Sequence, residues 1–242
     1  MSQQYDTDTN VLQRLRGGVI VSCQALPCEP LYSSFIMSKM AYAAELGGAA
    51  GIRANSISDI QAIKKEVDLP IIGIIKEDYP DTEVRITPTE REIDELAREG
   101  VAIIAMDATH RPRHNAESLD ELFCRVRKKY PHQIFMADCS TWEEGAHAEE
   151  LGFDIVSTTL RGYTEYTQER ELPDYQLVNQ LVQGLHCPVI AEGGIWTVEQ
   201  LKKVMECGVL AAVIGTAITR PKEITQNFVS ALKDIPKKEE TK

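Results

Sequence analysis

Short apolar runs alternate with longer segments of helical periodicity along almost the whole chain. Eight of these runs are near-continuous in aliphatic residues, a composition typical of strands that are buried on both faces. We predict strands at residues 17–22, 49–53, 70–75, 101–106, 133–137, 154–157, 188–191 and 209–214. After each strand the spacing of apolar residues predicts a helix, at residues 33–46, 58–66, 89–99, 118–129, 141–151, 175–183, 198–206 and 223–232.

Repeated units of strand then helix predict a parallel sheet of the α/β class. Eight such units within 242 residues favour one closed (β/α)8 TIM barrel, which typically needs about 250 residues. We therefore predict a single domain over 1–242, with the barrel core at about 17–233, a polar N-terminal lead and a charged C-terminal tail. An open, doubly wound sheet is the alternative. The absence of a G-x-G-x-x-G motif after the first strand weakens it.

Composition and charge exclude several classes of function. Hydrophobic residues make up 43% of the chain and the formal net charge is -11, which argues against a nucleic-acid-binding surface. No apolar run approaches the length of a membrane span, and the first residues lack the apolar core of a signal peptide. The six cysteines form no C-x-x-C pair, and the histidines are not at ligand spacing with them. We expect a cytoplasmic protein with reduced cysteines, no metal site and no membrane partner.

Polar or charged residues follow most of the predicted strands. In a β/α barrel, the carboxyl ends of the strands carry the chemistry. Each residue alone could be a loop cap or a surface ion-pair partner. Because they recur at the same place in separate units, we predict that they line one site at the barrel mouth. They are Gln24, Arg53, Lys76, Asp107, Asp138, Glu192 and the Gly215-Thr216 pair.

The segment from 187 to 195, C-P-V-I-A-E-G-G-I, places a carboxylate and two glycines at the end of the seventh strand. Barrels often bind phosphate with the loops after strands seven and eight. Here these loops contain Gly193 and Gly194, then Gly215 and Thr216. Arg220 follows and can supply a fixed positive charge. We predict a phosphate monoester site from these five residues. The alternatives are an ordinary turn and a surface arginine at a helix start.

Lys76 and Glu192 end the third and seventh strands, which lie opposite each other in an eight-stranded ring. A base and an acid on opposite sides of one carbon are what inversion of a stereocentre next to a carbonyl requires. A lysine base must be neutral, so burial or a nearby cation such as Arg53 would have to lower its pKa. Two alternatives remain open at this point: a Lys76–Glu192 ion pair, and a Schiff-base lysine as in an aldolase.

These motifs together resemble the N-acylglucosamine-6-phosphate 2-epimerase family, from about residue 15 to 230. The matching segments are G-G-V-I-V-S-C-Q, G-I-R-A-N, P-I-I-G-I-I-K, V-R-I-T-P-T, M-D-A-T-H-R-P-R, M-A-D-C-S-T, T-T-L-R-G-Y-T, V-I-A-E-G-G-I and A-I-T-R-P-K-E-I-T. The resemblance implies a cofactor-free, commonly dimeric enzyme of sialic acid catabolism. It would convert N-acetylmannosamine 6-phosphate to N-acetylglucosamine 6-phosphate.

The resemblance also implies roles for individual residues. Lys76 and Glu192 would be the catalytic pair, and Gln24, Arg53 and Asp138 would contact the sugar. Two positions depart from the family pattern: Gly194 replaces a larger polar residue, and Arg161 replaces a small hydroxyl residue. Two other hypotheses are a different phosphosugar enzyme, such as an isomerase or aldolase, and a non-catalytic phosphosugar-binding regulator.

Overall fold

A computed structural model describes residues 11–234 of the chain. The predicted polar lead and the charged tail lie largely outside these residues. Eight parallel strands form a closed barrel in sequence order, and β8 pairs with β1 through Ile20 and Val213. The predicted (β/α)8 barrel is confirmed, and the open sheet is excluded because the ring of strands is closed. The strands are β1 Val19–Cys23, β2 Gly51–Asn55, β3 Ile71–Ile74, β4 Ile103–Asp107, β5 Ile134–Asp138, β6 Ile155–Ser157, β7 Val189–Glu192 and β8 Ala211–Ile214.

Helices follow the strands and surround the barrel. Several of them begin with a capping box, in which a threonine or serine and a glutamate or glutamine satisfy the first free backbone N–H groups. Thr89 and Glu92 form one of these at the start of the helix after β3. A short helix, α1, covers 11–15. The others are α2 Ser34–Leu46, α3 Ile57–Lys64, α4 Glu90–Glu99, α5 Leu119–Lys129, α6 Trp142–Leu151, α7 Tyr175–Gly184, α8 Val198–Glu206, α9 Thr216–Thr219 and α10 Pro221–Ala231.

The alternation of side chains along each strand produces two separate apolar cores. One core lies inside the barrel and includes Ile72, Ile103 and Ile190; the other lies between the strands and the helices. Residues two or four positions after an inward-facing residue point in the same direction. Glu192 therefore follows Ile190 at the mouth of the barrel, and Asp107 lies four residues after Ile103 on the same side.

Several predicted strand boundaries differ from the observed ones by one or two residues, and two of these differences affect the site. Strand β2 begins two residues later than predicted, so Arg53 lies in its middle rather than at its end. Strand β3 ends at Ile74, and Lys76 forms an isolated antiparallel bridge with Ile86. The chain folds back after Lys76, and the Thr87 N–H donates to the carbonyl of Ile75 at 2.7 Å. This return extends the barrel wall beyond β3.

Candidate active site

A buried arginine joins two carboxylates across the mouth of the barrel. Arg53 from β2 donates from Nη1 and Nη2 to the two Asp138 carboxylate oxygens, at 3.1 and 2.6 Å. Its Nη1 also lies 3.1 Å from Glu192 Oε2. Only 1% of the Arg53 side chain is exposed, and Asp138 is fully buried. These contacts connect β2, β5 and β7 at one point, which is the centre of the candidate site.

Burial and charge act against each other on Arg53. Burial alone would lower its pKa, but Asp138 and Glu192 outweigh burial and raise the pKa. The guanidinium therefore stays charged and supplies a permanent positive charge beside Glu192. Its Nε is buried and has no hydrogen-bond partner within the described part of the chain. An unpaired buried donor is costly, which makes this N–H a candidate contact for a bound polar molecule.

Lys76 is held at the mouth through its backbone. Its N–H donates to the side-chain carbonyl of Asn55 on β2 at 2.8 Å. The N–H of Ile75, the residue before it, donates to Thr87 Oγ1 at 3.3 Å. The pKa of the Lys76 amine falls to about 8, mainly because it is buried and also because Arg53 and Arg220 are nearby cations. A lysine with this pKa is partly neutral near pH 8 and can accept a proton.

Glu192 is the last residue of β7, and its carboxyl faces the same region. Burial raises its pKa, the charge of Asp138 acts in the same direction, and Arg53 opposes the rise. Within residues 11–234, the ion pair of Glu192 is with Arg53 and not with Lys76. The Lys76–Glu192 ion pair considered above is therefore absent. The two groups remain separate, and their pKa values are shifted towards each other.

Two hydroxyl groups, one on the last residue of β6 and one just after it, complete the centre. The Thr159 hydroxyl lies 2.7 Å from Asp138 Oδ1 and 3.1 Å from Glu192 Oε2. Ser157 Oγ lies 2.8 Å from Thr159 Oγ1. The sequence argument did not select either residue. Thr159 belongs to the segment T-T-L-R-G-Y-T, and the inward direction of Ser157 follows from its spacing to Ile155, so a signal for both was present.

The predicted phosphate residues gather where β7, β8 and β1 end. Gly193 and Gly194 have φ values of 111° and 70°, and they bend the chain immediately after Glu192. Gly215 begins α9, and Thr219 of α9 donates to the carbonyl of Ser22 at 2.8 Å. Gln24 lies just beyond β1 and donates to Ser22 Oγ at 2.8 Å. The N–H groups of Ile218 and Thr219 both donate to the carbonyl of Gly215 at 2.9 Å. Those of Thr216 and Ala217 start the first turn of α9 and have no acceptor within the helix.

Arg220, which links α9 and α10, already has an acidic partner. Its Nη1 lies 3.0 Å from one Glu29 carboxylate oxygen, and its Nη2 donates to the other at 3.3 Å. Glu29 also accepts from the N–H of Leu26 at 2.6 Å, so the loop after β1 holds this carboxylate in place. The sequence reasoning did not identify Glu29, because a glutamate in a loop is not distinctive.

The two departures from the family pattern have local structural reasons. A Cβ added to Gly194 would lie 2.2 Å from Leu172 Cβ, so only glycine fits under the loop that follows β6. Arg161 donates from Nε to Asp174 at 2.9 Å, and from Nη1 to the carbonyl of Ser140 at 3.0 Å. Arg161 therefore tethers the same loop to the start of α7.

Asp107 does not join the central cluster. It is fully buried, and its carboxylate accepts from the backbone and hydroxyl of Thr109 and from Arg111. Burial raises its pKa, against the opposing effect of Arg111 and Arg113. Arg113 donates to the carbonyl of Asp107 at 2.7 Å. This strand-end carboxylate therefore organises the loop after β4.

Residues 11–234 contain no cluster of three or more histidine, cysteine or acidic side chains that could hold a metal ion. Among the same residues, no helix has both the length and the apolar character needed to cross a bilayer. The six cysteines are all free thiols.

The fold and the site together define a class of protein: a (β/α)8 barrel with acid–base groups and arginines at the carboxyl ends of its strands. A profile of the family described as "Putative N-acetylmannosamine-6-phosphate epimerase" (NanE) matches residues 37–234. The chain belongs to this family. The expected class of enzyme, an epimerase of N-acetylmannosamine 6-phosphate in the isomerase class, is thereby confirmed.

Individual relatives agree with this assignment. The chain is 52% identical to a "Putative N-acetylmannosamine-6-phosphate 2-epimerase" of Caldanaerobacter subterraneus subsp. tengcongensis, over 93% of this chain and 95% of the relative. It is 56% identical to a protein of the same description from Staphylococcus saprophyticus, over 88% and 97% of the two chains. The solved N-acetylmannosamine-6-phosphate 2-epimerase of Clostridium perfringens superposes with a TM-score of 0.87 at 50% identity, over 91% of this chain and 95% of that one.

Proposed function

We propose that this chain inverts C2 of N-acetylmannosamine 6-phosphate to give N-acetylglucosamine 6-phosphate, with Lys76 and Glu192 as the proton-transfer pair. When the sugar ring is open, C2 lies beside the C1 aldehyde, which acidifies its proton. One group removes the proton to give an enolate, and the other returns a proton on the opposite face. The protein's own side chains suffice for both transfers.

The observation that carries the proposal is the position and state of the two groups. They follow opposite strands of the barrel, so a carbon between them is approached from two sides. The pKa of Lys76 falls to about 8 while that of Glu192 is raised. A base and an acid with closer pKa values exchange protons with a carbon acid more readily at neutral pH.

We assign sugar contacts to Gln24, Arg53 and Asp138. The unpaired Nε of Arg53 is a donor suited to a sugar or enolate oxygen. Its positive charge would stabilise the negative charge that develops on the oxygen during deprotonation. Asp138 fixes the orientation of the guanidinium through two hydrogen bonds. Gln24 follows β1, and its hydrogen-bond partner Ser22 lies next to Gly215, one of the predicted phosphate residues.

We assign the phosphate to Gly193, Gly194, Gly215, Thr216 and Arg220. The glycines allow backbone N–H groups to approach the phosphate oxygens closely, and Arg220 adds a fixed charge. Binding the distant phosphate would hold C2 between the two transfer groups and lower the entropic part of the barrier. In this assignment, phosphate replaces Glu29 as the partner of Arg220.

Incubation with substrate in deuterated water tests the reaction. The proposal predicts that product formed by the enzyme contains solvent deuterium at C2, as measured by proton NMR. Full retention of protium at C2 during turnover would refute the proton-transfer mechanism. Ligand binding without any turnover would favour the regulatory hypothesis instead.

The lowered pKa of Lys76 is also compatible with a Schiff base, so a second experiment separates the two lysine chemistries. Borohydride is added during turnover, and the protein mass is measured. We expect no covalent adduct. An adduct on Lys76 would replace the epimerase mechanism by an aldolase-type one.

We place the activity in sialic acid catabolism, which the family of the chain supports, and in the cytoplasm, where phosphorylated sugars are retained. The free state of all six cysteines agrees with a reducing compartment.

We further propose that the protein is a homodimer. Helix α10 has no buried residue, and its Phe228 and the following Leu232 are 72% and 65% exposed. On α2, Phe35 is 69% exposed and Leu46 is 72% exposed. Large apolar side chains that are exposed to this extent can mark a protein contact. A second copy of the chain is the occupant that the resemblance implies.

Sedimentation velocity tests the dimer. The double variant Phe228→Glu, Leu232→Glu should sediment as a monomer while the native chain sediments as a dimer. Cys124→Glu adds one negative charge at an exposed position of α5, across the barrel, and should leave the dimer unchanged. A native chain that sediments as a monomer at micromolar concentration would refute the proposal.

A further inference from the structure

The Thr159 hydroxyl has one proton and two carboxylate acceptors. Its oxygen lies 2.7 Å from Asp138 Oδ1 and 3.1 Å from Glu192 Oε2. A hydroxyl can donate only one hydrogen bond at a time, although it can accept two. At any moment, therefore, Thr159 donates to one carboxylate and not to the other.

A second hydroxyl controls what Thr159 can accept. Ser157 Oγ lies 2.8 Å from Thr159 Oγ1, and either oxygen could be the donor. Ser157 is fully buried and Thr159 is 8% exposed, so this pair is largely shielded from bulk solvent. The two hydroxyls and two carboxylates form a branched chain of hydrogen bonds in which hydroxyl rotation alone changes the donor directions.

We propose that Thr159 is a positioning residue that reorients with the protonation state of Glu192. The inference rests on the proposed role of Glu192 in proton transfer at C2. When Glu192 is a carboxylate, Thr159 donates to it and accepts from Ser157. When Glu192 carries a proton on Oε2, this proton is donated to Thr159 Oγ1, and Thr159 donates to Asp138. No covalent bond to hydrogen forms or breaks in Thr159, so the proton count of the site changes only at Glu192.

This arrangement supports both forms of Glu192 with a hydrogen bond, which a fixed donor cannot do. Arg53 Nη1 can only donate to Glu192, so it favours the carboxylate over the protonated form, whereas Thr159 can also accept the carboxyl proton. Asp138 and Lys76 are the other charged groups that face Glu192. Asp138 stays bound by Arg53 in both states. It therefore provides a constant acceptor to which Thr159 can turn.

The test compares Thr159→Val, which removes the hydroxyl at nearly constant volume, with Thr159→Ser, which keeps it. Thr159 bonds Glu192 in both protonation states, so Thr159→Val removes a hydrogen bond from the carboxylate and from the protonated form alike. We therefore expect the apparent pKa of Glu192 to move by less than about half a unit, whereas removal of a hydroxyl that donated to the carboxylate alone would raise it by about one unit. We expect kcat to fall roughly tenfold with little change in KM, because proton transfer and not phosphate binding is affected. Thr159→Ser should restore kcat.

Thr164→Val is the matched control, since Thr164 is also buried but shares its hydroxyl with Ser140 and Thr167, away from the carboxylates. It should leave the Glu192 titration unchanged. The titration is followed by carboxyl carbon-13 NMR, assigned with Glu192→Gln, so it does not depend on turnover. If Thr159→Val does not fold, Ser157→Ala tests the same chain of hydrogen bonds and should lower kcat by a smaller factor with little change in KM.

The outcomes separate this inference from the proposed function. A rise of about one unit in the Glu192 pKa, or a kcat within twofold of native, in folded Thr159→Val would overturn the inference alone, provided that deuterium incorporation at C2 stays native and Glu192→Gln is inactive. Near-native epimerisation by Glu192→Gln would overturn the role of Glu192, and the inference with it.

Discussion

The pH dependence of kcat/KM is the sharpest prediction from the site. In an inversion by two groups, one is neutral base and the other protonated acid before the reaction, and the roles are exchanged afterwards. Every productive form of the pair therefore carries one titrating proton. Either Lys76 is a neutral amine and Glu192 a carboxylic acid, or Lys76 is an ammonium and Glu192 a carboxylate. The form with two such protons and the form with none are both inactive. The profile is consequently bell-shaped, and its limbs report on the pair.

The structure places the alkaline limb well below the usual range of lysine. The pKa of Lys76 falls from 10.5 to about 8, which corresponds to about 3 kcal/mol of destabilisation of the ammonium form. Above this limb, kcat/KM should fall about tenfold for each pH unit, so the rate at pH 10 should be roughly a hundredfold below that at the optimum. Burial raises the pKa of Glu192 above its ordinary value of 4.5, which sets the acid limb.

The same profile is expected in both directions of the reaction. The ratio of the two kcat/KM values is the equilibrium constant, and both substrates carry the same ionisable phosphate. The assay is NMR detection of epimerisation from each sugar phosphate between pH 5 and 10, with circular dichroism to confirm folding. The substrate phosphate itself titrates near pH 6, so the alkaline limb is the diagnostic one. A rate that stays constant or rises from pH 8 to 10 would refute the reasoning.

The remaining predictions concern substitutions at Lys76, Glu29 and Gly194. Lys76→Met should lower kcat by about 10³-fold or more while phosphate-dependent binding, measured by calorimetry, stays near native. The buried Lys76 ammonium destabilises the folded protein, because the pKa of Lys76 is lower in the folded state than in the unfolded state. This destabilisation is complete below pH 8 and disappears towards pH 10.5, so Lys76→Met should raise Tm more at pH 7 than at pH 10. Glu29→Gln should bind inorganic phosphate more tightly, because Arg220 loses its competing partner, and should move the alkaline limb to lower pH. Gly194→Ser should cost about 3 kcal/mol in urea unfolding through its φ of 70° and a leucine clash, whereas Gly48→Ser, with open space around it, should cost about 1 kcal/mol.

Each of these predictions has an outcome that contradicts it. Near-native turnover by Lys76→Met would show that another group is the base. Weaker phosphate binding by Glu29→Gln would mean that Glu29 organises the anion site and does not compete for it. Equal losses of stability in the two glycine variants would show that the loop over Gly194 moves away without cost.

The barrel and the location of its site could be predicted from the sequence. Buried parallel strands need near-continuous apolar runs, and eight such runs in 242 residues leave little alternative to closure. The alternation rule then directs Glu192 and Asp138 to the mouth, because each lies an even number of residues after an inward-facing apolar side chain. These inferences need only local periodicity and a count of units.

The tertiary structure alone determined how the site residues pair. Arg53 contacts Asp138 and Glu192 because a two-residue shift of β2 places it within the barrel, and local apolar patterning does not define strand register to that accuracy. The Thr159 hydroxyl between two carboxylates and the Glu29–Arg220 ion pair join segments far apart in the chain. Hydrogen bonds of this kind require the spacing between elements to be set to within a few tenths of an ångström. Only closure of the barrel sets the spacing this closely.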